Sequence, residues 1–379
     1  MNQDSYRDTW VEVSLDAIKS NVISFKNHIR KETKLMAVVK ADGYGHGAVE
    51  VASTAIETGA DYLGVAFLDE ALKLREAGIT TPILILGYTS PAAVREAVKH
   101  DITVTIYTDE SVPELKKAAN DFQKTAKVHL KIDSGMNRIG IQDTEEALRI
   151  CQTLYSPEIL LEGIFTHFAD ADNLDSTYTY KQFENFTAVI SYLEKHDVNI
   201  QIKHCCNSAG TIAFPDMHLD MVRVGISLYG LYPSDQLHDK IKLKQAMSFK
   251  TKPVMIKKLD AGQPISYGCT YIAKGQSTIA TLPVGYADGF SRQLSNNGNV
   301  TVKGKDVPIV GRICMDQTMI DVSSLDSLDK HEVITLFGDP EDGFISLGIV
   351  ADQMNTIHYE AACLIGKRVP RVYIYRERL

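Results

Sequence analysis

LMAVVKADGYGHG, residues 35–47, sets an apolar, β-branched run against a lysine and then a cluster of glycines. A short apolar run bounded by turn residues reads as a strand buried on both faces, the kind found in parallel sheets. Seven further runs share that texture: Asp61–Ala66 (DYLGVA), Pro82–Gly87 (PILILG), Ile102–Tyr107 (ITVTIY), Lys127–Asp133 (KVHLKID), Leu161–Phe168 (LEGIFTHF), Ile200–Cys206 (IQIKHCC) and Met221–Ser227 (MVRVGIS). Helical patterns lie between them. Asp69–Ala77 repeats its apolar residues at three and four, Pro91 suits a first helical turn, and Tyr178–Lys195 is long and amphipathic. Eight strand-then-helix units within roughly 230 residues are what a (β/α)8 barrel (TIM barrel) requires, with a doubly wound open sheet as the rival α/β arrangement.

After residue 243 the texture changes. Helical periodicity fades and β-rich stretches take over at Ser248–Ile256, Gln276–Leu282, Val300–Val302, Val307–Val310, Met319–Val322, Val333–Phe337 and Arg371–Tyr375. Turn signals at Asp260–Gly262, Asn297-Gly298 and Lys303-Gly304 punctuate them. The expected division is a barrel over residues 1–243 and a mostly β domain over 244–379. The first dozen or so residues, with a strand at Thr9–Val13, could join the second domain.

Composition excludes several functions. The chain has 379 residues, and 40 basic against 48 acidic side chains give a net charge of −8, so nothing suggests a nucleic-acid partner. No apolar run approaches the ~20 residues of a membrane span. The start lacks the apolar core of a secretory signal, and a cytoplasmic protein is expected. Six cysteines without a C-x-x-C pair fit reduced thiols better than disulfides or zinc, and no metal site is expected. The phosphate-loop, dinucleotide, zinc-protease and nucleophile-elbow motifs are absent.

In a barrel the reacting groups lie at the carboxyl ends of the strands. Lys40 closes the first, where partial desolvation favours a neutral, nucleophilic amine; a surface lysine before a glycine turn reads the same way. KVHLKID puts His129, Lys131 and Asp133 on one face, as near a barrel mouth or on a solvated edge. His167 ends the next strand and fits a rim histidine equally well. Asn207 and Ser208 offer small polar groups to a phosphate or hydroxyl. Arg223, inside a strand that reads as buried, is costly unless paired. One Schiff-base candidate, one arginine, and amides with hydroxyls suggest a phosphorylated carbonyl substrate or pyridoxal phosphate.

AVVKADGYGHG (37–47) closely resembles the cofactor-attachment segment of bacterial alanine racemases. The similarity continues through KIDSGMNRIG (131–140), THFADAD (166–172), HCCNSAG (204–210), VRVGISLYG (222–230), ISYGCTY (265–271), PVGYADGF (283–290) and GRICMDQTMIDV (311–322). The resemblance implies pyridoxal 5'-phosphate bound covalently to Lys40, which also acts as the base on one face of the substrate. It implies Tyr267 as the base on the opposite face, reaching in from the other subunit of a homodimer. Tyrosine has an ordinary pKa near ~10, so that role needs nearby positive charge. Tyr44, Ser208, Tyr359 and the Gly225 and Ile226 amides would hold the phosphate, with Asn207 beside them. Arg138 would meet the phenolic oxygen and the substrate, and Met315 of the partner subunit would face the substrate carboxylate. Lys131 matches a family lysine that is carbamylated to orient Arg138. Asp172, Tyr286, Arg292, Arg312 and Tyr359 resemble the residues of the substrate access corridor.

Arg223 would stand at the cofactor's ring nitrogen with His167 bonded to it. A guanidinium only donates, so the ring would remain a weak electron sink, suited to racemisation. The implied function is interconversion of L- and D-alanine for peptidoglycan. A racemase of another small amino acid such as serine, a related decarboxylase and a non-catalytic pyridoxal-phosphate-binding protein are the alternatives. Cys205-Cys206 departs from the family's usual small aliphatic residues.

Overall fold

The computed structural model describes residues 6–173 and 175–375; the outermost residues of the expected division, 1–5 and 376–379, lie outside the described residues. A first strand, β1 (Thr9–Ser14), leads into the helix Leu15–His28, which Ser14 caps by accepting from Ala17 N at 3.1 Å. Eight parallel strands follow: β2 (Lys34–Val38), β3 (Tyr62–Val65), β4 (Ile83–Ile85), β5 (Ile102–Ile106), β6 (Ala126–Lys131), β7 (Ile159–Phe165), β8 (Ile202–His204) and β9 (Met221–Val224). They pair in the order β8-β7-β6-β5-β4-β3-β2-β9. Asp220 N to Lys203 O and Arg223 N to Cys206 O, both 3.1 Å, close the ring between β8 and β9. Every residue of β3, β4 and β5 is buried, because side chains fill the inside and helices cover the outside. The (β/α)8 barrel is therefore observed and the open sheet is not.

The polar face of β6 belongs to the barrel interior rather than to a solvated edge. His129 and Lys131 are almost fully buried.

The remaining chain is mostly β. A six-stranded sheet runs Lys305–Pro308, Asn299–Val302, Ile334–Phe337, Met247–Thr251, β1 and Arg371–Ile374. β1 pairs antiparallel with Met247–Thr251 and parallel with Arg371–Ile374. A three-stranded sheet (Met255–Leu259, Ser277–Leu282, Thr318–Asp321) and the hairpin Pro264–Ile265/Tyr271–Ile272 complete it. Three features differ from the sequence reading. Ser248–Ile256 is two strands of different sheets, divided around Pro253, which has no N–H to donate to a ladder. The hairpin around Tyr267 has strands of two residues, too short for an alternating pattern. Helices Leu347–Gln353 and His358–Leu364 occur where no helical periodicity is visible, since each has only seven residues.

Asn21 fastens the barrel to the segment that leads out of it. Buried in the helix Leu15–His28, it donates to Leu228 O (3.0 Å) and Lys244 O (2.9 Å) and accepts from Lys244 N (2.8 Å). Asn21→Ala leaves three main-chain groups without partners and should cost about 3 kcal/mol or more at ~1–3 kcal/mol per stranded group. A lowered denaturant midpoint measures it; an unchanged one refutes this role.

Candidate active site

A cavity of about 570 Å3 opens at the carboxyl ends of the barrel strands. Lys40, Tyr44, Lys131, Arg138, His167, Asp172, Asn207, Ser208, Arg223, Gly225, Ile226 and Tyr359 all line it. A second cavity, about 400 Å3, lies behind the Lys40 segment beside Glu70 and Cys363, and none of the expected site residues lines it.

Lys40 is followed by a left-handed turn. Ala41, Asp42, Gly43 and Tyr44 have φ of +52°, +54°, +62° and +52°. For the three non-glycine residues this costs roughly 1–2 kcal/mol each, so the surroundings must enforce it. Ala41 N donates to Glu70 Oε1 (2.7 Å), Ala48 N to Asp42 Oδ1 (3.1 Å), and Tyr229 Oη to Val38 O (3.1 Å). Buried His46 bridges the carbonyls of Gly43 and Tyr44 through Nδ1. Lys40 and Tyr44 are thereby held on the rim of one cavity.

Burial lowers the Lys40 pKa below the ordinary lysine value, and the positive charge of Arg138 lowers it further, against a smaller opposing pull from Glu70. The Lys131 amine is pushed well down by burial and by Arg223 and Arg138, and sits 4.4 Å from the Phe165 ring centroid. Burial raises the pKa of both Tyr44 and Tyr359, keeping their hydroxyls protonated as donors. Asp133 accepts from Gly135 N (3.1 Å) and Asn137 N (2.9 Å), folding back the loop that carries Arg138. Ser208 Oγ accepts from Gly225 N at 2.9 Å, which leaves the serine proton to donate elsewhere.

Arg223 is the charged centre of the barrel interior. Its guanidinium donates to Thr166 O (2.8 Å), Cys205 O (2.9 Å), His204 Nδ1 (3.0 Å) and His167 Nδ1 (3.2 Å). Burial pushes its pKa down to about 10, so it remains charged at neutral pH. His204 was not singled out from the sequence, nor were the groups beyond it. Arginine can only donate, so His204 Nδ1 accepts and its proton sits on Nε2. That proton faces His129 Nδ1 at 2.9 Å, and His129 Nε2 in turn faces Glu162 Oε2 at 3.1 Å. Burial holds both rings neutral, as this directed chain requires. The nearest sequence signal was the polar alternation of β6. The Cys205 and Cys206 thiols both donate to Met217 O, at 3.1 and 3.2 Å, and pack out of solvent.

Five expected residues do not line this cavity: Tyr267, Tyr286, Arg292, Arg312 and Met315 belong to the β-rich part of the same chain. Tyr267 is 72% exposed, Met315 53% and Tyr286 43%. They stand close together. Ser266 Oγ donates to Arg312 O (2.5 Å), and Tyr286 N donates to Cys314 O (3.1 Å).

The cavity suits a small aromatic aldehyde bearing a phosphate. A Cβ at Gly225 would fall 2.6 Å from Tyr44 Oη, so only bare backbone fits beneath the tyrosine. Hydroxyl donors gather there, an amine with a lowered pKa stands at the rim, and Arg223 has no acceptor on its Nε among the described residues. No group of metal-ligating side chains occurs among the described residues, and no described helix is long and apolar enough to cross a membrane. Fold and cavity together fit the class of barrel enzymes that use pyridoxal phosphate.

Family comparison narrows that class. Residues 13–233 match the alanine racemase N-terminal domain and residues 246–373 the alanine racemase C-terminal domain. Alanine racemase 1 of Oceanobacillus iheyensis is 61% identical, covering 99% of this chain and 100% of the relative. Alanine racemase of Methanococcus maripaludis is 46% identical over 97% of this chain and 98% of its own. The crystal structure of the Bacillus anthracis alanine racemase with bound L-Ala-P superposes with a TM-score of 0.92 at 43% identity, covering 98% of this chain and 96% of that one. The chain belongs to the alanine racemase family, which depends on pyridoxal phosphate.

The electrostatics of the cavity predict a shift that can be measured. Lys40 should react as a free amine at a pH below that of an ordinary lysine. Arg138→Gln removes a charge that disfavours its protonation and should raise the reaction midpoint. Borohydride trapping of a simple aldehyde at residue 40 across pH reads this; a midpoint unmoved by Arg138→Gln defeats the account.

Proposed function

We propose that the chain interconverts L- and D-alanine on pyridoxal phosphate by a two-base mechanism, supplying D-alanine for peptidoglycan, with each site shared between two copies. Alanine racemase activity follows from family membership and from 61% identity along the whole chain. The two-base, shared site rests on one observation. Lys40 lines the cavity, whereas Tyr267, Met315 and Tyr286 sit exposed on the other part of the same chain. A racemase must remove a proton from one face and return one to the other. Within the cavity Tyr44 and Tyr359 are kept protonated by burial and His167 is engaged by Arg223. Tyr267 of a second copy is the group available for the opposite face.

Pyridoxal phosphate, when bound, supplies the electron sink that makes the α-proton of an amino acid acidic. Tyr44, Ser208, Tyr359 and the backbone at Gly225 and Ile226 would hold its phosphate, with Asn207 capping the turn that carries Ser208. Arg138 would meet its phenolic oxygen. Lys40 Nζ takes or returns a proton on one face, favoured by burial and by Arg138. Arg223 would donate to the ring nitrogen without protonating it, which would restrain electron withdrawal and side reactions. Met315 would meet the substrate carboxylate, and Asp172, Tyr286, Arg292 and Arg312 would line the approach. Neutral Lys131 is the form that adds carbon dioxide, and its carbamate would give Arg138 an anionic partner.

Purified protein should racemise L-alanine faster than L-serine by at least about tenfold in kcat/KM, the order that one extra group commands in a small pocket. Polarimetry with both substrates checks this, and equal rates refute alanine specificity. Lys40→Ala and Tyr267→Phe homodimers should each be inactive, while mixing them should recover activity in heterodimers with one intact site. No recovery despite verified subunit exchange would remove the shared-site reading.

A further inference from the structure

The loops carrying Tyr286 and Met315 are clamped to each other. Tyr286 N donates to Cys314 O (3.1 Å) and Ala287 N to Met315 O (3.0 Å), and a Cβ at Gly285 would fall 2.4 Å from Met315 O. Beneath the clamp lies Asp288, a carboxylate with no solvent exposure. Arg7 grips both its oxygens, Nη1 to Oδ1 at 2.7 Å and Nη2 to Oδ2 at 3.0 Å. Arg368 Nε reaches Oδ1 at 2.6 Å, and Gly285 N donates to Oδ2 at 3.0 Å. The same Arg368 extends Nη2 to Asp316 Oδ1 at 2.5 Å, one residue beyond Met315. Asp288 O also accepts from Gly366 N at 3.0 Å, tying in the segment that follows helix His358–Leu364. Burial alone would raise the pKa of this carboxyl, but Arg7 and Arg368 outweigh it and keep it ionised.

We infer that Asp288, through Arg7 and Arg368, is a positioning residue that fixes Tyr286 and Met315 for the substrate held in the partner subunit's barrel. The inference rests on the shared-site reading. Two exposed side chains gain little rigidity from their own packing, so their placement depends on the turns beneath them. Those turns have one buried anion as their common anchor. Both arginines are partly open to water, so replacing the carboxylate frees them to rehydrate and loosens the loops without emptying the core.

The test uses the cofactor-loaded dimer. Asp288→Asn should keep the cofactor's absorbance, because the barrel is untouched, and raise KM for alanine about tenfold with kcat within about threefold. Heterodimers of Asp288→Asn with Lys40→Ala should show wild-type KM, since the competent barrel receives intact loops from its neighbour. Lys40→Ala with Tyr267→Phe is the control. If the control recovers activity while the Asp288→Asn heterodimer keeps the raised KM, Asp288 acts within its own chain and the inference is overturned. A control that stays inactive removes the shared site itself, and this inference with it. Wild-type constants in the Asp288→Asn homodimer also overturn it. Should Asp288→Asn fail to fold, Arg368→Gln decides, because it leaves the Arg7 pair in place yet cuts the link to Asp316. A KM rise of about threefold supports the inference, and an unchanged KM refutes it.

Discussion

A guanidinium buried in a barrel must find its acceptors before anything else can settle. Arg223 has no carboxylate bonded to it and relies on two main-chain carbonyls and two imidazole nitrogens. These acceptors come from the ends of β7 and β8, so the charge is satisfied only when three neighbouring strands are in register. Burying an ion this way is expensive, and neutral acceptors recover less than a carboxylate would. The hydrogen-bond path from Arg223 through two histidines ends on the carboxylate of Glu162, and the direction of every proton along it follows from arginine having no acceptor.

The Lys40 segment adds a second constraint of another kind. Four consecutive residues in the left-handed region would not persist in an isolated peptide. They are held by Glu70, the Asp42 carboxylate, Tyr229 and His46. The site is thus positioned on both sides by conformations that the finished fold makes affordable. Neither would form first.

The barrel was legible in the sequence because strands buried on both faces lose alternation and become short apolar runs, as LMAVVK and PILILG do. Lys40 and Ser208 could be placed because strand ends are where barrels concentrate chemistry, and Arg223 because an arginine inside a buried strand is costly unless paired. Other features left no trace. His204 and Glu162 are inward polar residues whose partners lie on other strands, so no local spacing marks them. Tyr359 sits on a helix of seven residues whose only buried positions are alanines, Ala361 and Ala362. Only its resemblance to the family marks it. Tyr267 lies on a turn between two-residue strands, where periodicity has nothing to measure.

The pairing of β1 has a consequence for how the chain matures on the ribosome. The barrel strands are complete once Val224 has emerged, and domains generally fold from the N-terminus as they are made. β1 is made before any barrel strand, yet its neighbours are Met247–Thr251 and Arg371–Ile374, and one of its edges stays open until Arg371–Ile374 has been made. During that interval an apolar, alternating segment is available to any other nascent strand, including the same segment of a neighbouring chain on the same messenger.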